Sequence, residues 1–185
     1  MQFKNISFFV ILSIIFLLTG CDSKDPEAIK NAIAKEQEPT VIELKTNNDQ
    51  LISTTISKNK IIFSGQENKV VLLNFFATWC PPCKAEIPHL NRLRERYKEQ
   101  FEVIGVLVEK SKTKEDMNAF IEEYEIQFPV TNHTTNFTLA DAVGGVKSIP
   151  TMLLFDKNGT LIRKYIGIVP EEMLEIDIKK GLEAE

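Results

Sequence analysis

A strongly apolar run at residues 70–76 is followed shortly by two cysteines with two prolines between them. A run of this length is typical of a central strand that is buried on both faces of a sheet. Pro81 and Pro82 are tolerated in the first turn of a helix, where the N–H groups they lack would have no helical partner. We therefore predict a buried strand, a turn at Cys80 and a helix that begins near Pro81.

The remainder of the chain alternates between strand-like and helix-like patterns. Three short β-rich runs precede the central strand and predict a small antiparallel sheet, at 41–44, 51–56 and 60–63. Further apolar runs predict strands at 101–108, 128–131, 151–156 and 161–165. Helical spacing predicts helices at 81–98, 113–125 and 137–143, and a last helix after Pro170. This order indicates an α/β sandwich around a mixed sheet.

The first twenty residues have the layout of an export signal, with one charge at Lys4 and an apolar run over residues 6–18. That run would measure roughly 20 Å as a helix. It is shorter than the ~30 Å hydrocarbon core of a bilayer, so a cleaved segment fits better than a permanent span. The tetrapeptide at 18–21 resembles the lipobox of bacterial lipoproteins, which implies cleavage after residue 20 and lipidation of Cys21.

We expect three regions: a lipoprotein signal at 1–20, a charged tether at 21–40 and one folded domain at 41–185. The chain carries 26 acidic and 22 basic residues, a formal charge of −4. It lacks the basic excess that binding a phosphate backbone requires, so we expect no nucleic-acid partner. We also expect no cofactor, and attachment to a membrane through lipid rather than through charge.

The two cysteines in the Cys-x-x-Cys pattern predict thiol–disulfide exchange. Cys80 would lie at a helix N-terminus, where unpaired backbone N–H groups favour a thiolate. Two thiols at this spacing can close a disulfide, so that Cys80 attacks a substrate disulfide and Cys83 resolves the mixed intermediate.

Metal binding is the competing interpretation of this pair. A structural zinc site needs two further Cys or His ligands, and only His89 and His133 are candidates. His89 lies six residues after Cys83, away from the helix face shared by positions i, i+3 and i+4, so zinc is disfavoured and we expect no metal site. A Cu(I)-binding chaperone that uses the two thiolates remains open as an alternative, because soft sulfur ligands suit Cu(I).

The sequence at 74–88, Asn-Phe-Phe-Ala-Thr-Trp-Cys-Pro-Pro-Cys-Lys-Ala-Glu-Ile-Pro, and the downstream Ser-Ile-Pro-Thr at 148–151 carry a family resemblance. Residues 126–130, the turn at 155–159 and Gly167 add to it. The chain resembles the thioredoxin-fold proteins of the TlpA/ResA-like thiol–disulfide oxidoreductase family from about residue 41 to its end. This resemblance implies a thioredoxin fold, with a central mixed sheet flanked by helices, an N-terminal β extension and a helical insertion at 113–125 before a cis proline.

The resemblance also implies a set of site residues. Cys80 and Cys83 would form the redox-active disulfide, with Ile149 and Pro150 joined by a cis peptide bond that faces them. Ile149 would contact substrate together with Trp79, Pro81 and Pro82. We expect Trp79 to cover the disulfide and also to pack against the protein.

A buried proton acceptor is expected near the sulfurs. The chain departs from plain thioredoxin at Asn74, where that protein has a buried aspartate. The resemblance implies that Glu86, one helical turn after Cys83, accepts the proton of Cys83 instead; partial burial would raise its pKa. The alternative is an exposed glutamate without a role.

The expected activity is the reduction of protein disulfides by an enzyme anchored outside the cytoplasmic membrane. The resemblance implies substrates such as apocytochrome c or copper-assembly proteins, and a membrane electron donor of the DsbD/CcdA type. Oxidation or isomerisation of disulfides during protein folding is the second interpretation. A 30 mV change in potential corresponds to only about 1.4 kcal/mol, and the motif does not determine the direction of electron flow.

Overall fold

In the computed structural model, which describes residues 38–58 and 60–184, two β-sheets are combined with four helices. The strands are β1 (Thr40–Lys45), β2 (Leu51–Ser57), β3 (Lys60–Phe63), β4 (Val70–Phe76), β5 (Phe101–Leu107), β6 (Val130–Thr131), β7 (Thr151–Phe155) and β8 (Leu161–Ile166). The helices are α1 (Pro81–Tyr97), α2 (Lys114–Glu123), α3 (Thr135–Ala142) and α4 (Glu171–Glu183). The predicted signal at 1–20, Cys21 and most of the predicted tether lie outside the described residues.

The central sheet has the strand order β6-β5-β4-β7-β8. Strand β4 pairs in parallel with β5 and antiparallel with β7, so the sheet is mixed, as predicted. Every residue of β4 is buried. Leu72 and Phe76 face a core that contains both cysteines, whereas Leu73 and Phe75 face a second core on the opposite side of the sheet. The strongly apolar sequence of β4 follows from this burial on both faces.

The N-terminal strands form the predicted antiparallel sheet, in the order β1-β2-β3, and pack on the second core. Backbone bonds join this small sheet to the central one at two places. The N–H of Ile61 donates to the carbonyl of Gly159, and the N–H of Asn47 donates to that of Val130, each at 2.8 Å. The N-terminal extension therefore covers the face of β4 that points away from the cysteines.

Helix α1 begins at the redox motif, with Cys80 as its N-cap and two prolines in its first turn. Arg94 and Arg96 occupy its last turn, where positive charge stabilises the helix dipole. The helix continues through Pro88. Its buried face packs on the cysteine-containing core and consists of Cys83, Glu86, Ile87, Leu90 and Leu93.

The inserted helix α2 is present as predicted and begins at a capping box. Thr113 accepts a hydrogen bond from the N–H of Asp116, whose carboxylate accepts one from the N–H of Thr113, both at 3.1 Å. The ring centroid of Phe120 lies 5.9 Å from that of Phe76 and 4.7 Å from that of Tyr124. These ring contacts attach the insertion to the end of β4, close to the redox motif.

Several predicted boundaries differ from the structure by one or two residues, and two of these differences have a clear physical cause. The strand predicted at 128–131 is formed only by Val130 and Thr131, because Pro129 has no N–H to contribute to a ladder. Helix α3 begins two residues before the predicted position 137. The amide of Asn136 donates to the carbonyls of Leu107 and Thr131, each at 2.9 Å, and so holds the first turn against the sheet. Across the described residues, none of the helices has the length and apolar character needed to cross a membrane.

Candidate active site

The two cysteines form a disulfide at the junction of β4 and α1. Their Cα atoms are 5.3 Å apart, and the residues are only 2% and 1% exposed. The backbone N–H of Cys83 donates to Sγ of Cys80 over 3.3 Å. A thiolate at Cys80 accepts such a bond more strongly than a thiol does, and it also gains from the helix N-terminus. This geometry favours Cys80 as the thiolate when the disulfide is open.

Glu86 lies one helical turn after Cys83 on the buried face of α1 and is only 2% exposed. Its Oε1 accepts a 2.8 Å hydrogen bond from the N–H of Val169. Within the described residues its Oε2 is buried without a hydrogen-bond partner. Burial raises the pKa of Glu86 to about 7, although the bond from Val169 acts in the opposite direction. The alternative of an exposed glutamate is therefore wrong, and the carboxyl can exchange a proton near neutral pH.

Asn74 is buried in β4 on the same side of the sheet as Leu72 and Phe76. Its Oδ1 is buried and accepts no hydrogen bond from the described residues. A carboxamide does not titrate in the neutral range, so residue 74 cannot take up a proton here. Glu86, in contrast, brings a buried titratable carboxyl to this side of the sheet.

Ile149 and Pro150 are joined by a cis peptide bond, as the family resemblance implied. Pro150 is buried, and its carbonyl accepts a 2.8 Å bond from the N–H of Gly167. Ile149 is half-buried and packs against the core that contains both cysteines. Its backbone N–H and C=O make no hydrogen bond to any residue in 38–58 or 60–184. This short segment therefore presents free backbone groups next to the redox motif.

Trp79 does not pack in the way we expected, because it is 65% exposed. It lies in the turn between β4 and α1, where the chain leaves the core. Its side chain lines one end of a groove of about 340 Å³, whose wall also includes Val108, Phe137 and Ile149. Pro81 is exposed and Pro82 half-buried. The four residues expected to contact substrate thus reach the surface around two buried sulfur atoms.

Neither histidine extends the cysteine pair into a metal site. His89 Nδ1 lies 3.8 Å from a carboxylate oxygen of Glu171, and His133 Nδ1 lies 3.1 Å from Oγ1 of Thr135. In the part of the chain that the structure describes, no group of three or more His, Cys, Asp or Glu side chains is arranged to hold a metal ion.

Three residues near the site were not found by sequence reasoning: Glu109, Phe137 and Val169. Glu109 had a usable signal, since it directly follows the strand predicted at 101–108. That strand pairs in parallel with β4, and carboxyl ends of neighbouring parallel strands meet at one edge. Phe137 and Val169 are brought to the site by the packing of α3 and of the segment before α4. Local sequence patterns do not predict this packing.

A family model described as the AhpC/TSA family matches residues 29–171 of the chain. Over 130 residues the chain is 33% identical to the thiol-disulfide oxidoreductase ResA of Bacillus anthracis, an alignment that covers 70% of this chain and 73% of that protein. The ResA protein of Bacillus thuringiensis subsp. konkukian is 29% identical over 172 residues, which cover 92% of this chain and 95% of the relative. The chain belongs to the AhpC/TSA family, among thiol–disulfide oxidoreductases of the ResA type.

A solved structure supports the fold of this oxidoreductase. A protein from Chlorobium tepidum, described as a thiol:disulfide interchange protein DsbE, superimposes with a TM-score of 0.62 and 25% identity over 79% of this chain and 96% of that one. The thioredoxin-like fold and the thiol–disulfide oxidoreductase activity predicted from the sequence are confirmed. Protein thiols and disulfides are accordingly its class of substrate.

Proposed function

We propose that this oxidoreductase reduces protein disulfides outside the cytoplasmic membrane, with Cys80 as the nucleophile and Cys83 as the resolving thiol. The observation that carries the assignment is the 3.3 Å hydrogen bond from the N–H of Cys83 to Sγ of Cys80 at the start of α1. Of the two cysteines, only Cys80 accepts this bond and also lies at the helix N-terminus. The thiolate form is the nucleophile in disulfide exchange, so Cys80 reacts first.

The reaction consists of two exchanges. The Cys80 thiolate attacks one sulfur of the substrate disulfide, forms a mixed disulfide and releases the other substrate sulfur as a thiolate. Cys83 then loses its proton and attacks Sγ of Cys80, which releases the second substrate thiolate. The substrate has gained two electrons, and the protein holds the disulfide between Cys80 and Cys83. A dithiol donor returns the two electrons in the next cycle.

Glu86 is the proton acceptor for the second exchange. It follows Cys83 by one turn on the buried face of the same helix, and its pKa is raised to about 7 by burial. A carboxylate with a pKa near the working pH is an efficient general base. In the reverse direction, the protonated carboxyl returns the proton when the donor reopens the disulfide.

The substrate binds as an extended segment next to Ile149. The free N–H and C=O of that residue are suited to pair with the backbone of such a segment, in the manner of an added strand. Trp79 and Ile149 offer apolar surface beside it, in the groove that also contains Phe137. This arrangement contacts the backbone and nearby apolar side chains of the substrate. The proposed substrates, an apocytochrome c or a copper-assembly protein, are those that the family resemblance implies.

The N-terminal sequence supports the proposed location outside the cytoplasmic membrane. The export layout and the tetrapeptide at 18–21 support lipid attachment at Cys21, and the charged segment after it provides a tether to the domain. A protein held in this way stays near a membrane dithiol donor of the DsbD/CcdA type. In an oxidising compartment the enzyme needs such a donor to remain reduced.

The direction of electron flow is tested by the redox state of Cys80 and Cys83 in intact cells, trapped with acid and then alkylated. A Cys80→Ser, Cys83→Ser double variant shows where the protein runs on the gel when neither cysteine of the pair can be alkylated. We expect a substantial reduced fraction that disappears when the membrane donor is deleted. A pair that is fully oxidised with or without the donor would overturn the reductase proposal in favour of an oxidant.

Lipidation is tested separately by growth with radiolabelled palmitate. Label and membrane association are both expected to disappear in Cys21→Ser and to persist in the matched variant Cys80→Ser. A Cys21→Ser protein that keeps the label would show that the lipid is attached elsewhere.

A further inference from the structure

The carboxylate of Glu109, which was not among the predicted site residues, is hydrogen-bonded to the turn before Cys80. Glu109 follows β5, whose end runs beside that of β4 because the N–H of Val108 donates a 2.9 Å bond to the carbonyl of Phe76. Oε2 of Glu109 accepts two hydrogen bonds from one residue, from the N–H of Thr78 at 2.9 Å and from its Oγ1 at 2.7 Å. The turn that carries Trp79 and Cys80 is thus tied to the neighbouring strand.

The charge of Glu109 is held largely out of water. Its side chain is 16% exposed, and Nζ of Lys112 forms an ion pair with Oε1 at 3.6 Å, which partly offsets the charge. The bond to Thr78 therefore keeps a negative charge two residues from Cys80. Other charged side chains close to the motif are Lys84 and Glu86, on the first turns of α1.

The negative charge of Glu109 changes the free energy of the dithiol form of the Cys80–Cys83 pair more than that of the disulfide form. The dithiol form places a thiolate on Cys80, which a nearby carboxylate destabilises. The disulfide form carries no charge and is not affected in this way. Glu109 therefore opposes the effect of the helix N-terminus and favours the disulfide, which makes the reduced protein a stronger electron donor.

We propose that Glu109 is a positioning residue that holds the turn at Thr78 and lowers the reduction potential of the Cys80–Cys83 pair through its charge. The inference rests on the proposed function only in taking Cys80 as the thiolate. It does not depend on the direction of electron flow, because the potential is a property of the pair itself.

The test measures the equilibrium constant of the full chain with reduced and oxidised glutathione. Glu109→Gln keeps an oxygen acceptor for Thr78 and removes the charge, so the equilibrium should shift about threefold to tenfold towards the dithiol. Lys112→Gln removes the opposing charge and should shift it towards the disulfide. Glu99→Gln, beyond the far end of α1, is the matched control for loss of one carboxylate and should leave it unchanged.

Thr78→Val tests whether Glu109 has a purely structural role, because this variant keeps the charge of Glu109 and removes one of its two hydrogen bonds. We expect this variant to lower the Tm while its equilibrium constant stays within about twofold of the original. Equal shifts in Thr78→Val and Glu109→Gln would show that the contact acts only through structure. An unchanged constant in Glu109→Gln would overturn the inference, whichever way electrons flow in the cell.

Discussion

The N–H of Val169 donates a 2.8 Å hydrogen bond to Oε1 of Glu86, one helical turn beyond Cys83. The bond joins α1 to the segment between β8 and α4, so a loop distant in sequence fixes the orientation of the buried carboxyl. The second oxygen, Oε2, is buried without a partner among the described residues. The cost of burying a charge exceeds the gain from the bond, and the pKa of Glu86 is therefore raised.

The raised pKa predicts that the oxidised protein loses stability as the pH rises. Between the ordinary value of 4.5 and the folded value of about 7, the native state binds more protons at Glu86 than the unfolded state does. The free energy of unfolding should therefore fall between pH 5 and pH 8, by roughly 1 to 3 kcal/mol from this group. Urea unfolding at the two pH values checks this.

Glu86→Gln should remove that part of the pH dependence, because a carboxamide does not titrate and still accepts the bond from Val169. Glu99→Gln is the matched control and should retain the dependence of the unchanged protein. The same slope in all three proteins would contradict the assignment.

Glu86→Gln should also slow one step of the reaction. Without a proton acceptor, Cys83 attacks the mixed disulfide more slowly, and the second exchange in Glu86→Gln should be about 100-fold slower near pH 7. Trp79 is the only tryptophan and precedes Cys80 directly, so its fluorescence can follow disulfide formation in a stopped-flow experiment. The first exchange should proceed at its original rate, and equal slowing of both steps would indicate a general distortion.

The buried pair of Tyr165 and Asp177 allows a stability prediction. The hydroxyl of Tyr165 donates to Oδ2 of Asp177 at 2.8 Å, and both residues are at most 5% exposed. Tyr165→Phe leaves a buried carboxylate with one partner fewer, which should cost about 1 to 3 kcal/mol in urea unfolding. Tyr97→Phe removes a similar bond to the less buried Glu175. That control should cost less than about 1 kcal/mol, and equal losses would refute the importance of burial.

The contact between the N-terminal sheet and the turn at Gly159 can be tested with two glycines. A Cβ at Gly159 would lie 2.4 Å from the carbonyl oxygen of Ile61, whereas a Cβ at Gly65 would meet nothing within 4 Å. Both have positive φ, at 78° and 77°. Gly65→Ala should cost about 1 kcal/mol from backbone strain alone. Gly159→Ala should cost about 3 kcal/mol, because β3 must also move. Similar losses in the two variants would mean that β3 is displaced easily.

The parts of the fold that were predictable from sequence are those with a strong local pattern. Strand β4 and the start of α1 follow from an apolar run and two prolines, and Glu86 follows from its spacing to Cys83. Strand β6 and the start of α3 were misplaced because Pro129 and the side chain of Asn136 act through contacts with other strands. The exposure of Trp79 and the position of Glu109 depend on how the turn meets β5, which the order of elements does not specify.

The measurement that most directly tests the central claim, that Cys80 attacks and Cys83 resolves, is the identification of the cysteine that forms a trapped mixed disulfide. The full chain as Cys83→Ser, reduced and mixed with a peptide containing one disulfide, should accumulate a stable adduct. Peptide mapping by mass spectrometry should locate that adduct on Cys80. Cys80→Ser, treated in the same way, should form little adduct, because Cys83 lacks the helix N-cap position that Cys80 has. A stable adduct on Cys83 in Cys80→Ser, with none on Cys80 in Cys83→Ser, would contradict the account.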